Sequence, residues 1–104
     1  MSLIANIRYN MPQKVYEKKI WDLIGFVKIS PTRYKTLKTL KTDFLMPSEI
    51  AKSTGLRTTQ VSNALADLKE RELVICMNES ARKGRIYQNT ELGLEILEIL
   101  DGNE

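Results

Sequence analysis

Residues 47–71, PSEIAKSTGLRTTQVSNALADLKER, constrain this chain more than any other stretch. At helical spacing they read as two short helices joined by a tight turn. Ile50 and Ala51 supply the inner face of the first, and Val61, Leu65 and Leu68 that of the second. Gly55 falls between them, where a chain leaving a helix turns through a left-handed conformation that glycine adopts cheaply. Leu56 can fill the corner, and the small Ala51 lets the second helix cross close by. This is the pattern of a helix-turn-helix, whose second helix can enter the DNA major groove. An αα-hairpin with no ligand has the same periodicity, so spacing alone does not choose between them.

The outer face of the second helix does choose. Once its core positions are removed, Thr58, Thr59, Gln60, Ser62 and Asn63 remain, followed by Asp67 and Lys69. A merely solvated helix favours Glu, Lys and Arg, which have better helix propensity than Thr, Ser and Asn. Short hydrogen-bonding groups fill the first two turns instead. Gln and Asn can pair bidentately with adenine, and Ser or Thr can reach bases or phosphates. The free N–H groups and positive dipole end of the helix favour a nearby phosphate, which Arg57 is placed to join. Residues 58–71 therefore read as a helix that contacts base pairs.

Composition excludes several other classes. The chain has 104 residues, enough for one domain, with 42% apolar and 28% charged residues. Its apolar runs are far shorter than a membrane span, and no signal-like segment opens it. One cysteine, Cys76, forms no internal disulfide, which suits a reducing, cytoplasmic setting. With no histidine, a zinc site of the usual ligands and histidine-based catalysis are both excluded, and no Gly-rich phosphate loop is present. We expect no enzyme activity, metal or cofactor. The net charge of +3 hides an asymmetry: residues 1–47 hold nine Lys/Arg against three acids, whereas residues 91–104 hold five acids and no base. A basic body suits a polyanionic partner, although Lys-rich helices also occur without one.

In chain order, residues 3–11 fit either a strand or a helix and are expected to form an arm that docks on the domain or on a partner subunit. Pro12 opens a helix over about 13–29 with an apolar stripe of Tyr16, Ile20, Leu23, Ile24 and Val27. Trp21 and Phe26 lie off that stripe, where they could extend a subunit interface. Ser30 and Pro31 cap and start a helix to about residue 42 that buries Tyr34, Leu37 and Leu40 and exposes Arg33, Lys35, Lys38 and Lys41. Phe44 and Leu45 are expected to close it onto the motif. Beyond the second motif helix, residues 73–77 and 86–88 read as two strands joined by NESARKGR, residues 78–85, with Arg82, Lys83 and Arg85 at a basic tip. Such a hairpin is a wing, and Cys76 reads as a small buried apolar residue in it. Thr90 caps a last helix whose Leu92, Leu94, Ile96, Leu97, Ile99 and Leu100 exceed one core-facing stripe, which predicts a dimer contact.

FVKISPTRYKTLKTL, then PSEIAKSTGL…VSNALADLKERELV, then ARKGRIYQNTELGLEIL resemble small archaeal winged-helix transcriptional regulators of the MarR/ArsR-like kind, over about residues 23–100. The resemblance implies a winged helix-turn-helix fold, double-stranded DNA as ligand and a homodimer on a two-fold site. It puts Thr58, Thr59, Gln60, Ser62 and Asn63 on the reading surface and Lys83 and Arg85 on the wing. Such regulators often have Ser or Thr where this chain has Met46 and Arg57, and cations where it has Thr59, Gln60 and Asn63. No effector site is recognisable in the sequence.

The resulting expectation is a single domain spanning residues 1–104, mostly α with a small β-hairpin wing. Residues 1–29 form the arm and first helix, 30–90 the winged-helix core, and 91–104 the last helix and tail. Its expected function is sequence-specific DNA-binding regulation of transcription, by a homodimer held through the N- and C-terminal helices. The alternative is a winged-helix module for protein–protein contact within a larger assembly.

Overall fold

The computed structural model describes residues 13–102, with side chains from residue 16 onward. The expected arm at residues 3–11 and the helix start at Pro12 lie outside the described residues. Five helices and one antiparallel hairpin follow in order: α1 Gln13–Lys28, α2 Pro31–Thr39, α3 Pro47–Thr54, α4 Thr58–Glu70, β1 Val74–Cys76, β2 Tyr87–Asn89 and α5 Glu91–Leu100. The chain is mostly helical, with α3 and α4 as the helix-turn-helix, the hairpin as the wing, and α1 and α5 as flanking helices.

Apolar spacing accounts for the core. Tyr16, Ile20, Leu23, Ile24 and Val27 of α1 are buried, as are Leu37 and Leu40, Ile50 and Ala51, and Val61, Leu65 and Leu68. They meet Leu73, Val74, Leu92, Ile96 and Leu97 in one cluster, with Leu56 packed against it in the corner between α3 and α4. Ala64 is buried as well, on the face of α4 turned toward its neighbours.

The ends of the elements follow from local chemistry. Ser30 Oγ accepts from the Arg33 N–H at 3.2 Å, with Pro31 in the first turn of α2. That helix ends at Thr39 rather than near 42, because Leu45 is drawn into the sheet. The Leu45 N–H donates to the Tyr87 carbonyl at 3.1 Å, and the Tyr87 N–H returns a bond to the Leu45 carbonyl at 2.9 Å. The same bridge corrects the expectation for Phe44. Neighbouring residues of an extended chain point to opposite faces, so Leu45 turns inward and Phe44 outward, where it is 54% exposed.

The hairpin pairs Val74 with Asn89, Ile75 with Gln88 and Cys76 with Tyr87. β1 lies within the expected 73–77, starting one residue later because the Leu73 N–H is already committed, and β2 runs one residue beyond the expected 86–88. At the end of α4 the Glu72 N–H bonds to the Lys69 carbonyl and the Leu73 N–H to the Leu68 carbonyl, both at 2.9 Å. This is a Schellman ending, with Glu72 in the left-handed region at φ 63°. Thr90 then starts α5 as expected, its Oγ accepting from the Gly93 N–H at 3.0 Å and donating to the Glu72 carbonyl at 2.7 Å. The domain covers more of the α5 stripe than its sequence suggested: Leu92, Ile96 and Leu97 are buried and Ile99 and Leu100 partly so, which leaves Leu94 exposed.

Candidate nucleic-acid interface

The short polar side chains identified from sequence occupy one connected surface. Thr58, Thr59, Gln60, Ser62 and Asn63 are all exposed on the first half of α4. They share that helix with buried Val61, Ala64, Leu65 and Leu68, so packing fixes which way they face. The turn that delivers them is set by Gly55, at φ 76°, whose N–H bonds back to the Ala51 carbonyl at 2.9 Å.

Both helices of the motif begin on residues that cannot cap them. Met46 and Arg57 occupy the N-cap positions of α3 and α4, and neither makes a side-chain capping bond. The third helical residue serves each helix instead. Glu49 Oε1 accepts from the Met46 N–H at 2.8 Å, and Gln60 Oε1 from the Arg57 N–H at 2.9 Å. An arginine has only donors to offer, so the first N–H groups of α4 receive no acceptor from their own N-cap residue. Gln60 has its carbonyl oxygen engaged and keeps its amide N–H₂ for another acceptor.

The wing is folded back on itself rather than extended. Asn78 organises it: Oδ1 accepts from the Ile86 N–H at 2.8 Å and from the Cys76 thiol, while Nδ2 donates to the Gly84 carbonyl at 3.1 Å. The Met77 N–H donates to the Ile86 carbonyl at 2.8 Å and the Ala81 N–H to the Asn78 carbonyl at 2.9 Å. Arg85 is a brace within this loop, its Nε donating to the Ala81 carbonyl at 2.7 Å and Nη2 to the Glu79 carbonyl at 2.9 Å. Arg82 and Lys83 project from it into solvent, followed by Gly84 at φ 67°. Cys76 is buried, as its sequence context indicated.

Lys69, on α4, reaches the loop and pairs with Glu79 at 2.6 Å. The hydrogen bond from Lys69 holds the Glu79 carboxyl below its usual value, and the same bond raises the Lys69 ammonium. On the same helix, Asp67 pairs with Arg33 at 3.4 Å.

Of the four cations expected to be exposed in and just after α2, Arg33 is not, and Lys38 is exposed but paired. Arg33 is half-buried, donates to the Phe26 carbonyl at 3.0 Å, and stacks 4.0 Å from the centre of the Phe26 ring. Arg71 covers Phe26 as well, at 4.3 Å, so that ring is enclosed between two guanidinium groups instead of extending an outer apolar face. Lys38 bonds to the Tyr34 hydroxyl at 3.0 Å and pairs with Asp101 at 3.5 Å. Lys35 and Lys41 are exposed.

Sequence reasoning placed Asn78 in the wing loop and Leu45 after the second helix but missed what each of them bonds. An Asn just after a strand is a usable turn signal, since its side chain bonds readily to nearby backbone. Leu45 carries no signal of its own, because a single bridging residue has no periodicity.

No family model matches the chain, and no curated protein matches it. Among the described residues, no helix is long and apolar enough to cross a membrane, and no three His, Cys, Asp or Glu side chains are grouped to hold a metal ion.

Proposed function

We propose that this chain is a sequence-specific double-stranded DNA-binding regulator of transcription. It acts in the cytoplasm as a homodimer held through its N- and C-terminal helices, in the manner of the archaeal MarR/ArsR-like regulators that its sequence resembles. The observation that carries the reading is the exposure of Thr58, Thr59, Gln60, Ser62 and Asn63 together on the first half of α4. In this scheme Gln60 and Asn63 contact base edges, Thr58, Thr59 and Ser62 contact bases or phosphates, and Arg57, Arg82 and Lys83 hold phosphates. Arg85 supports the wing from within and adds to its positive field. No catalytic step and no cofactor enters.

Selection of bound sites from random duplexes tests the proposal. The expected product is a palindrome with half-sites about one or more helical turns apart. Recovery of no preferred sequence would contradict it.

A second reading has one observation in its favour. The bridge at Leu45 and the hairpin register align Phe44, Gln88 and Ile75 across the outward sheet face, and Phe44 and Ile75 are exposed there, with Met77 beside them. An apolar patch of that kind suits protein contact within a larger assembly. Such a module would show little salt-sensitive duplex binding.

A further inference from the structure

The wing is joined to the rest of the fold by a short ladder. β1 and β2 have three residues each, and between them run ten residues that end up beside α4. Three residue pairs alone leave a loop of that length free to swing about its base. Two features oppose this. Within the loop, Asn78 and Arg85 tie residues 78–86 into one unit through bonds to Gly84, Ile86, Ala81 and Glu79. Between that unit and α4 lies the Lys69–Glu79 ion pair at 2.6 Å, with side chains 40% and 56% exposed. Because Arg85 holds the Glu79 carbonyl while Lys69 holds its carboxylate, Glu79 is gripped from the loop side and from the helix side at once.

We propose that Lys69 and Glu79 are positioning residues whose ion pair clamps the wing to the reading helix, fixing the cations of the wing tip relative to the polar face of α4. The role in recognition rests on the DNA-binding reading above. The clamp explains two features that point the other way on charge alone. Lys69 sits on the reading helix yet is committed to an internal partner, and an acid stands in a loop that would otherwise be purely basic.

The opposite signs of the two charges make the test decisive. If only the summed field matters, Glu79→Gln removes a negative charge near the duplex and tightens binding, whereas Lys69→Gln weakens it. A clamp predicts that both weaken it. The experiment measures affinity for a selected duplex against salt, and amide exchange at Ala81 and Ile86 in the free protein. The variants are Glu79→Gln, Lys69→Gln, and Lys69→Glu combined with Glu79→Lys. Each single variant is expected to bind about two- to fivefold more weakly, in keeping with a solvent-exposed pair. Each should also exchange those amides faster, while the reversed pair restores both within about twofold. All these sites are on the surface, and unchanged exchange in the buried part of α4 confirms that folding is intact. Glu79→Gln binding as tightly as the native protein or tighter, with native exchange in the loop, overturns the proposal. A native protein with no salt-sensitive duplex binding overturns the DNA reading and the role in recognition, yet faster loop exchange in both single variants would still establish the clamp.

Discussion

Gly93 shows how one atom sets the distance between two elements. A Cβ there would lie 2.2 Å from the Leu73 carbonyl oxygen and 3.4 Å from a methyl of Leu37. The first turn of α5 therefore rests on the backbone that leaves α4, and Thr90 fastens it there. Gly93→Ala gains helix propensity of ~1 kcal/mol but forces a backbone shift, so it is expected to lower stability by a net ~1–3 kcal/mol in denaturant unfolding. Glu72 is the opposite case. It takes the left-handed position that ends α4, where a side chain costs about 1–2 kcal/mol that glycine avoids. Glu72→Gly should raise stability by ~0.5–1 kcal/mol after the added freedom of the unfolded chain is deducted. Neither effect could be read from sequence. A glycine in the first turn of a helix looks merely tolerated until the neighbouring carbonyl is seen, and a glutamate in a polar stretch gives no sign of its backbone angle.

At the scale of elements, periodicity carried most of the information. The stripes of α1, α3, α4 and α5 follow from Tyr16 to Val27, Ile50–Ala51, Val61 to Leu68 and Leu92 to Leu97, because a 3.6-residue repeat is a local property of the chain. What stayed hidden depends on contacts distant in sequence. The short end of α2 follows from Leu45 meeting Tyr87, and the loss of Arg33 and Lys38 from the free cations follows from Phe26, Asp67 and Asp101. The exposed part of the candidate interface was legible because it lies on one helix face, whereas the internal role of Arg85 in the wing was not. The N-caps of α3 and α4 give an element-scale prediction. Arg57→Ser and Met46→Ser each supply a missing acceptor and should each add ~1 kcal/mol of stability. On the DNA-binding reading, Arg57→Ser also loses a phosphate contact. It should flatten the salt dependence of duplex binding by about 0.9 in log–log slope, while Met46→Ser leaves that slope unchanged. Thermal unfolding and a salt titration of each variant check the pair.

Over the whole molecule, ion pairs tie surface loops and ends to the helices, and they set its response to pH. The hydrogen bond from Tyr34 and the nearby lysines hold the Asp101 carboxyl below its ordinary value of 3.8, and Lys69 holds Glu79 below 4.5. Groups with depressed values in the folded state stabilise it above the ordinary carboxylate range, and lose that contribution as pH falls through the folded value. Lys38 and Lys69 are raised above 10.5 by those same partners, so their share is lost only as pH rises past that point. With no histidine in the chain, stability should be level between about pH 6 and 8 and decline in acid, as followed by thermal unfolding. Asp101, in the acidic end of the sequence, is held by Lys38 and Tyr34 of the basic front.

The most direct measurement is the affinity of Asn63→Ala, beside the native protein, for a selected duplex and for a scrambled one of equal length. The account predicts a loss of ~1–3 kcal/mol on the selected duplex alone, with binding to the scrambled duplex and its salt slope unchanged. Equal affinity of the variant and the native protein for both duplexes would contradict the claim that the polar face of α4 reads base pairs.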